Sequence, residues 1–240
     1  MNTRTRSSPG GCASCPGLSR SVWCDLPREQ VATLDRTKVV TSYRPGEVIY
    51  HQGTACVGLH CVESGTVALR RVDRQGARTI ERLVHGGETL SLNALFGGGT
   101  HTTAAEALTP TRVCFVERAS VLEAVNEAPA LSLRLLRRLS EELRSIADER
   151  LRAVTRSVRE RVARLLVELV DRFGAEGPDG ALSLTLPLAR QDMAALLGVR
   201  AESIARAVRA LEVDGVARFS GRQVTIPSLD PLLAELPEGE

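Results

Sequence analysis

Three cysteines fall within thirteen residues near the start of the chain, Cys12, Cys15 and Cys24 in CASCPGLSRSVWC. Thiols gathered this densely, in a stretch with almost nothing of its own to pack, suit a metal or a redox reaction better than a core. A Cys-x2-Cys pair can deliver two ligands from one turn. Cys56, Cys61 and Cys114 lie further along. The opening MNTRTRSSPGG has no apolar core of the kind a signal peptide carries, and no apolar run approaches the ~20 residues of a membrane span. The expectation is a cytoplasmic protein with no membrane partner. In that reducing compartment six cysteines serve as metal ligands, redox sensors or packed thiols before they serve as disulfides. Cys56 and Cys61, in a β-like stretch, read as packed thiols. His51, His60, His85 and His101 show no metal-ligand spacing with one another.

A second chemistry lies in LPLARQDMAALLGVRAESIARAVRALEVDGVARFSGRQVTIP. Met193, Leu196 and Leu197 form one short apolar face, Gly198 interrupts it, and Ile204, Val208 and Leu211 form another. Two short helices joined through a glycine, with a hairpin behind them, are the sign of a winged helix-turn-helix. The second helix of such a motif offers its N-terminal residues to base edges in the major groove. Here those residues include Glu202, Ala205 and Arg206. Glu202 and Arg206 are four apart, on one helix face. Arginine can grip guanine O6 and N7 as a fork and glutamate can accept from cytosine N4, each good pair giving ~1 to 3 kcal/mol of discrimination. As a mere exposed ion pair the two would add only ~0.3 kcal/mol. Arg200 and Arg209 flank the helix and are expected to touch phosphates, which position without specifying.

These residues need elements to hold them. At 240 residues the chain has room for two modest domains. Its net charge of +2 hides an uneven distribution: residues 150–226 hold 13 Arg and 9 acids, whereas the last fourteen residues hold four acids and no base. That excess is too mild to establish a nucleic-acid partner alone. From Val39 to about Val116 short apolar runs are punctuated by glycine, as in GEVIYHQG, GLHCVESGTVALRRV and ARTIERLV, which suggests a small β-barrel or roll. Val67 and Leu69 alternate with small or polar neighbours, as in a strand with one buried face. GGETLSLNALFGGG is expected to be a β-turn flanked by glycines. From Pro129 to about Val154 the period changes: Leu136, Leu139, Leu143 and Ile146 step by three, four and three, a seam that two parallel helices would use to dimerise and that Arg150 should end, the alternative being a helix packed on the chain's own barrel. SVRERVARLLVELVDRFG reads as a further helix with Gly174 at its C-cap. No phosphate-binding glycine loop, nucleophile elbow or zinc-hydrolase motif is present, so an enzyme is not expected.

A glycine-rich β-roll, a long helix and LARQDMAALLGVRAESIARAVRALE before a wing resemble the CRP/FNR family of bacterial transcription regulators over residues ~25 to 226. The resemblance implies an α+β fold: an N-terminal cysteine-rich segment over residues 1–27, a cyclic-nucleotide-binding-like β-roll over 28–125, a dimerisation helix over 126–154 and a winged helix-turn-helix over 155–240. It implies a homodimer on double-stranded DNA, with RNA polymerase as a protein partner and a TGA core in each half-site. The family usually has a small hydroxyl residue where Arg200 stands and glycine or serine where Ala205 stands. Arg200 thus removes a side-chain N-cap, while Ala205 keeps only a methyl for thymine. Members that bind cyclic AMP hold its phosphate with a Gly-Glu pair and an Arg-Ser pair. Here Ser91 and Leu92, then Thr102 and Thr103, stand at those places, so the cation is missing and no cyclic nucleotide is expected.

In the oxygen-sensing branch three N-terminal cysteines and one from a late strand of the roll bind a [4Fe-4S] cluster. By that resemblance Cys12, Cys15, Cys24 and Cys114 are the ligands, and the signal is oxygen or a related oxidant such as nitric oxide. Zinc could use the same thiolates, although all-cysteine zinc sites usually show two Cys-x2-Cys pairs and this chain shows one. A metal-free thiol switch, a small-ligand signal, and a metal- or redox-binding protein that no longer reads DNA stay open as well.

Overall fold

A computed structural model of the protein describes residues 4–5, 11–12, 15, 18, 21–23, 27–177 and 179–237. Cys24 lies outside them. The chain divides into two compact units, Met1–Ser145 and Ile146–Glu240.

The glycine-punctuated half of the first unit is a pair of antiparallel sheets. Strands β1 (Arg4–Thr5), β2 (Val39–Tyr43), β4 (Gly58–Ser64), β7 (Thr89–Leu90) and β9 (Thr111–Glu117) form one, in the order β1-β2-β9-β4-β7. Strands β3 (Val48–Tyr50), β5 (Thr66–Val72), β6 (Arg78–His85) and β8 (Ala104–Ala107) form the other, in the order β3-β8-β5-β6. GLHCVESGTVALRRV, continuous in sequence, is split between the two sheets by Gly65. Its φ is +96°, and a Cβ there would stand 2.4 Å from Thr111 Oγ1 and 2.6 Å from the Pro110 carbonyl, so only glycine fits. Val67 is buried as expected, but so is Ala68 on the opposite face, because the strand is covered on both sides where it enters the roll.

Three helices complete the roll: α1 (Arg28–Thr37), α2 (Leu92–Gly97) and α3 (Arg118–Glu127). The segment GGETLSLNALFGGG is therefore not a β-turn. Leu92 and Leu95, three apart, turn one helical face into the core, and a helix of six residues is too short for periodicity to reveal. The core joins Leu59, Leu92, Leu95, Val116, Val121, Leu131 and Leu135, and Val22 and Trp23 enter it as well. The cysteine-bearing segment is thus anchored: its packing partner is the roll, through the one tryptophan of the chain.

Helix α4 (Pro129–Thr155) starts on the roll. Leu131 and Leu135 are buried there, and Leu139, four residues on, packs half-buried against the same cluster. Arg138 Nη2 reaches Glu88 at 2.7 Å, and Glu142 accepts from Arg82 Nη2 at 2.8 Å. Leu139 lies on the same side of the helix as the other seam residues but is half-buried against the roll, because the apolar stripe begins on the chain's own core. Leu136, Leu143 and Ile146 are 60%, 69% and 65% exposed. Leu151 and Val154 extend that exposed face beyond Arg150, where the sequence pattern ends it.

The second unit contains α5 (Val158–Phe173), β10 (Ala175–Glu176), β11 (Leu182–Thr185), α6 (Arg190–Leu197), α7 (Ala201–Val213), β12 (Arg218–Ser220), β13 (Gln223–Ile226) and α8 (Leu229–Leu233), its strands in the order β10-β11-β13-β12. Ser157 starts α5 with a capping box: its Oγ accepts from the Glu160 amide at 3.2 Å, and Glu160 Oε2 accepts from the Ser157 amide at 2.6 Å. Gly174 ends the helix in extended backbone rather than the left-handed region. Glycine is needed there because a Cβ would lie 2.5 Å from the Val170 carbonyl. Leu166 and Leu169 of α5 are fully buried, as are Ile204 and Leu211 of α7, the helix that packs against it. Leu166→Ala is expected to cost this unit about 3 kcal/mol, seen as a lower urea midpoint with an unchanged m-value; a loss within ~0.5 kcal/mol would mean that the site collapses around the deletion.

Candidate functional site

The cysteines converge on one cavity of the first unit. Cys12, Cys15, Cys61 and Cys114 all line it, together with Lys38 and Trp23. Cys12 and Cys15 sit on a turn in which the Cys15 amide donates to the Cys12 carbonyl at 3.2 Å, and the Leu18 amide to that of Cys15 at 2.9 Å. The turn is tied to α1, since Asp35 Oδ1 accepts from the Cys12 amide at 2.9 Å. Cys114 comes from the middle of β9, and Cys61 from β4 directly opposite it in the ladder. Three of the four sequence-predicted ligands therefore line the same cavity, and Cys24 lies outside the described residues. The structure also sorts the two cysteines read as packed thiols. Cys56 is one: it is buried in the apolar cluster, and its Sγ donates to the Gly58 carbonyl at 3.3 Å. Cys61 instead faces the cavity and accepts a hydrogen bond from Trp23 Nε1 at 3.0 Å. The only sequence signal for it is strand register, which places residues of neighbouring strands opposite each other once the pairing is known.

Lys38, the one lysine of the chain, is 2% exposed in this cavity. Its Nζ lies 2.6 Å from Asp35 Oδ1 and donates to Cys12 Sγ at 3.3 Å. Burial opposes its charge, but the Asp35 carboxylate and the neighbouring sulfur outweigh that and hold its pKa above the ordinary lysine value. Burial pushes the Cys12 thiol up to about 11 against the pull of Lys38, and pushes Cys114 up to about 12 with help from the neighbouring Cys61. Values this high keep the two thiols protonated near neutral pH, so any metal they bound would have to displace their protons. Among the described residues no three His, Cys, Asp or Glu groups stand close enough to hold one metal ion.

The second unit presents the other chemistry. The N-terminal half of α7 leaves Glu202, Ala205 and Arg206 exposed, with Arg209 one turn on, while Ile204, Ala207, Val208 and Leu211 face the core. Arg206 Nη2 donates to Ser203 Oγ at 3.2 Å, so its guanidinium is held there rather than on Glu202. Gly198, at φ +61° and ψ 37°, makes the left-handed turn between α6 and α7. Arg200 is the N-cap residue of α7 and makes no side-chain cap bond. The wing folds through Gly221 and Arg222, with Ser220 opposite Gln223. Arg190 stacks over the ring of Phe219 at 4.9 Å, fastening the start of α6 to the wing, a contact that no periodicity signals.

At the positions compared with a phosphate site, Ser91 and Thr103 are buried, Leu92 belongs to the apolar core and Thr102 is exposed. Ser91 has φ +76° at the start of α2. Among the described residues no helix is long and apolar enough to cross a membrane.

Comparison with known proteins agrees with both halves. The cyclic nucleotide-binding domain model matches residues 40–128, and the Crp-like helix-turn-helix domain model matches residues 160–235. The chain is 29% identical to the transcriptional activator protein FnrL of Cereibacter sphaeroides, over 93% of this chain and 91% of that protein. It is 26% identical to the fumarate and nitrate reduction regulatory protein of Escherichia coli K12, over 95% and 92% of the two chains. Among solved structures, FixK2 from Bradyrhizobium japonicum superposes with a TM-score of 0.73 at 28% identity, covering 85% of this chain and 99% of that one. A CRP/FNR-family transcriptional regulator from Thermus thermophilus superposes with a TM-score of 0.68 at 26% identity, covering 82% and 97%. A β-roll of this type joined to a winged helix-turn-helix defines a DNA-binding transcription regulator, not an enzyme. The protein belongs to the CRP/FNR family.

Proposed function

We propose that the protein is a cytoplasmic, oxygen- or oxidant-responsive regulator that carries a [4Fe-4S] cluster on Cys12, Cys15, Cys24 and Cys114 and binds pseudo-palindromic DNA as a homodimer. The observation that carries this reading is the meeting of Cys12, Cys15 and Cys114 in one cavity with a buried cation. These residues fit the group. Three thiols from two distant parts of the chain line one cavity, and with Cys24 they make a set of four thiolates, one for each iron of a cubane. When bound, the cluster supplies a redox-labile link between the N-terminal segment and strand β9. The protein supplies the thiolates, a lysine against their charge and a tryptophan that seats the segment on the core. Loss of ligation would leave the segment held by Leu18, Val22 and Trp23 in the core and by the Cys12 amide on Asp35.

The exposed face of α4, with Leu136, Leu143, Ile146, Leu151 and Val154, is the seam for a second copy, and RNA polymerase is the further protein partner. With α7 in the major groove, the half-sites lie about one helical turn apart. Nothing in the Ser91, Leu92, Thr102 and Thr103 set offers a cation to a cyclic nucleotide phosphate.

The test is iron and acid-labile sulfide on protein purified without oxygen, with the visible spectrum followed on admission of air. Comparable iron and sulfide, bleached by air, and loss of both in the Cys12→Ser/Cys15→Ser variant are expected. A colourless protein that takes up no iron on anaerobic reconstitution would leave zinc, a thiol switch or an unidentified ligand as the signal.

A further inference from the structure

Cys61 is paired with Cys114 across the β4–β9 ladder. Directly opposed residues of an antiparallel pair leave the sheet on the same face with Cβ atoms about 4.5–5.5 Å apart. Both line the cavity that Cys12 and Cys15 also line. A cysteine present only to fill the core would resemble Cys56, which is 4% exposed and turned to a backbone carbonyl. Cys61 instead presents its sulfur to the cavity and receives the indole N–H of Trp23 at 3.0 Å. Such a donor is of the kind that orients a ligand and tunes its basicity from outside the first ring of contacts.

We propose that Cys61 is an alternate thiolate ligand of this metal site, able to take the corner that Cys114 holds. The inference rests on the iron–sulfur reading above. In the exchange, the Cys114 sulfur leaves its iron and takes up a proton, while Cys61 loses its proton and donates an electron pair to the same iron. No electron is transferred and the count of thiolates is unchanged. The chain then offers five thiols for four irons, and the ligand at that corner can pass between neighbouring strands.

The experiment compares wild type, Cys61→Ala, Cys114→Ala and the double variant, each reconstituted anaerobically with ferrous iron and sulfide. The readouts are iron, sulfide, the visible spectrum and thermal unfolding. Cys61→Ala is expected to load like wild type. Cys114→Ala should keep most of the iron with a shifted visible spectrum, because a different thiolate now completes the set. The double variant should fall about tenfold or more below either single one. Cys114→Ala as empty as the double variant would overturn the proposal, as would a double variant as full as Cys114→Ala. Serine versions give the same comparison if an alanine variant loses its unfolding transition. A wild type that binds no iron overturns the iron–sulfur reading itself and this inference with it, whereas a loaded wild type beside an empty Cys114→Ala overturns this inference alone.

Discussion

Replacing Arg206 with alanine is expected to abolish discrimination between a TGA-containing palindrome and random duplex while leaving fold and subunit assembly intact. The side chain is exposed on the outer face of α7 and, among the described residues, hydrogen-bonded to Ser203, so the core does not depend on it. If it forks onto a guanine, each half-site loses ~1 to 3 kcal/mol, and a dimer loses that amount twice. At tenfold per 1.4 kcal/mol, specific affinity falls between about 30-fold and about 20,000-fold. Binding to random DNA should barely move, because it depends on phosphate contacts. Arg209→Ala offers the contrast: without its phosphate anchor all sequences should bind more weakly alike, with a shallower salt slope. Competition titrations at two salt concentrations distinguish the two patterns. Equal losses on specific and random duplex for Arg206→Ala would place base readout on another residue, with Glu202 the first candidate.

The helix-turn-helix is legible in the sequence because its signals are local: Met193, Gly198, Ile204, Val208 and Leu211 fall within nineteen residues and each constrains the next. Ile204, Val208 and Leu211 are buried and Gly198 is left-handed, as that pattern requires. The seam on α4 is half legible. Period alone cannot tell where along one apolar stripe the chain's own roll gives way to solvent or a second copy, so it does not set the half-buried Leu139 apart from the exposed Leu136 and Leu143. The cavity is legible only through resemblance. Cys12 and Cys114 are about a hundred residues apart, and nothing local couples them; the β2–β9 and β4–β9 pairings do. Cys61 and Lys38 depend on the same long-range register. A lone lysine in sequence reads as a solvated charge, since lysine is almost never buried without a partner. Its partner, Asp35, stands one helical turn before it and gives no sign of the cavity on the other side.

Lys38 carries the second large expectation. Lys38→Met keeps the length and most of the volume of the side chain and removes only the charge, and Asp35, 36% exposed, can turn its carboxylate to water. With the proposed cluster in place, its thiolates would leave a net negative charge in a largely buried space, and among the described residues Lys38 is the basic one lining it. At an effective dielectric of ~20 and a separation of ~6 Å, one positive charge contributes about 3 kcal/mol. The sign follows from the charge balance: reduction adds an electron, the cation favours the more negative state, and its removal lowers the reduction potential. Converted at 59 mV per 1.4 kcal/mol for one electron, the shift is about 120 mV downward. An oxidant then removes electrons from the reduced cluster of the variant more readily. A redox titration followed in the visible spectrum measures the shift. If the potential stays within ~20 mV of wild type, the charge is screened from the cluster. Lys38 would then serve Asp35 alone, as the clamp that fixes the amide and sulfur of Cys12 against α1. In that case Lys38→Met should lower the thermal stability of the N-terminal turn, and Asp35→Asn should reproduce the loss.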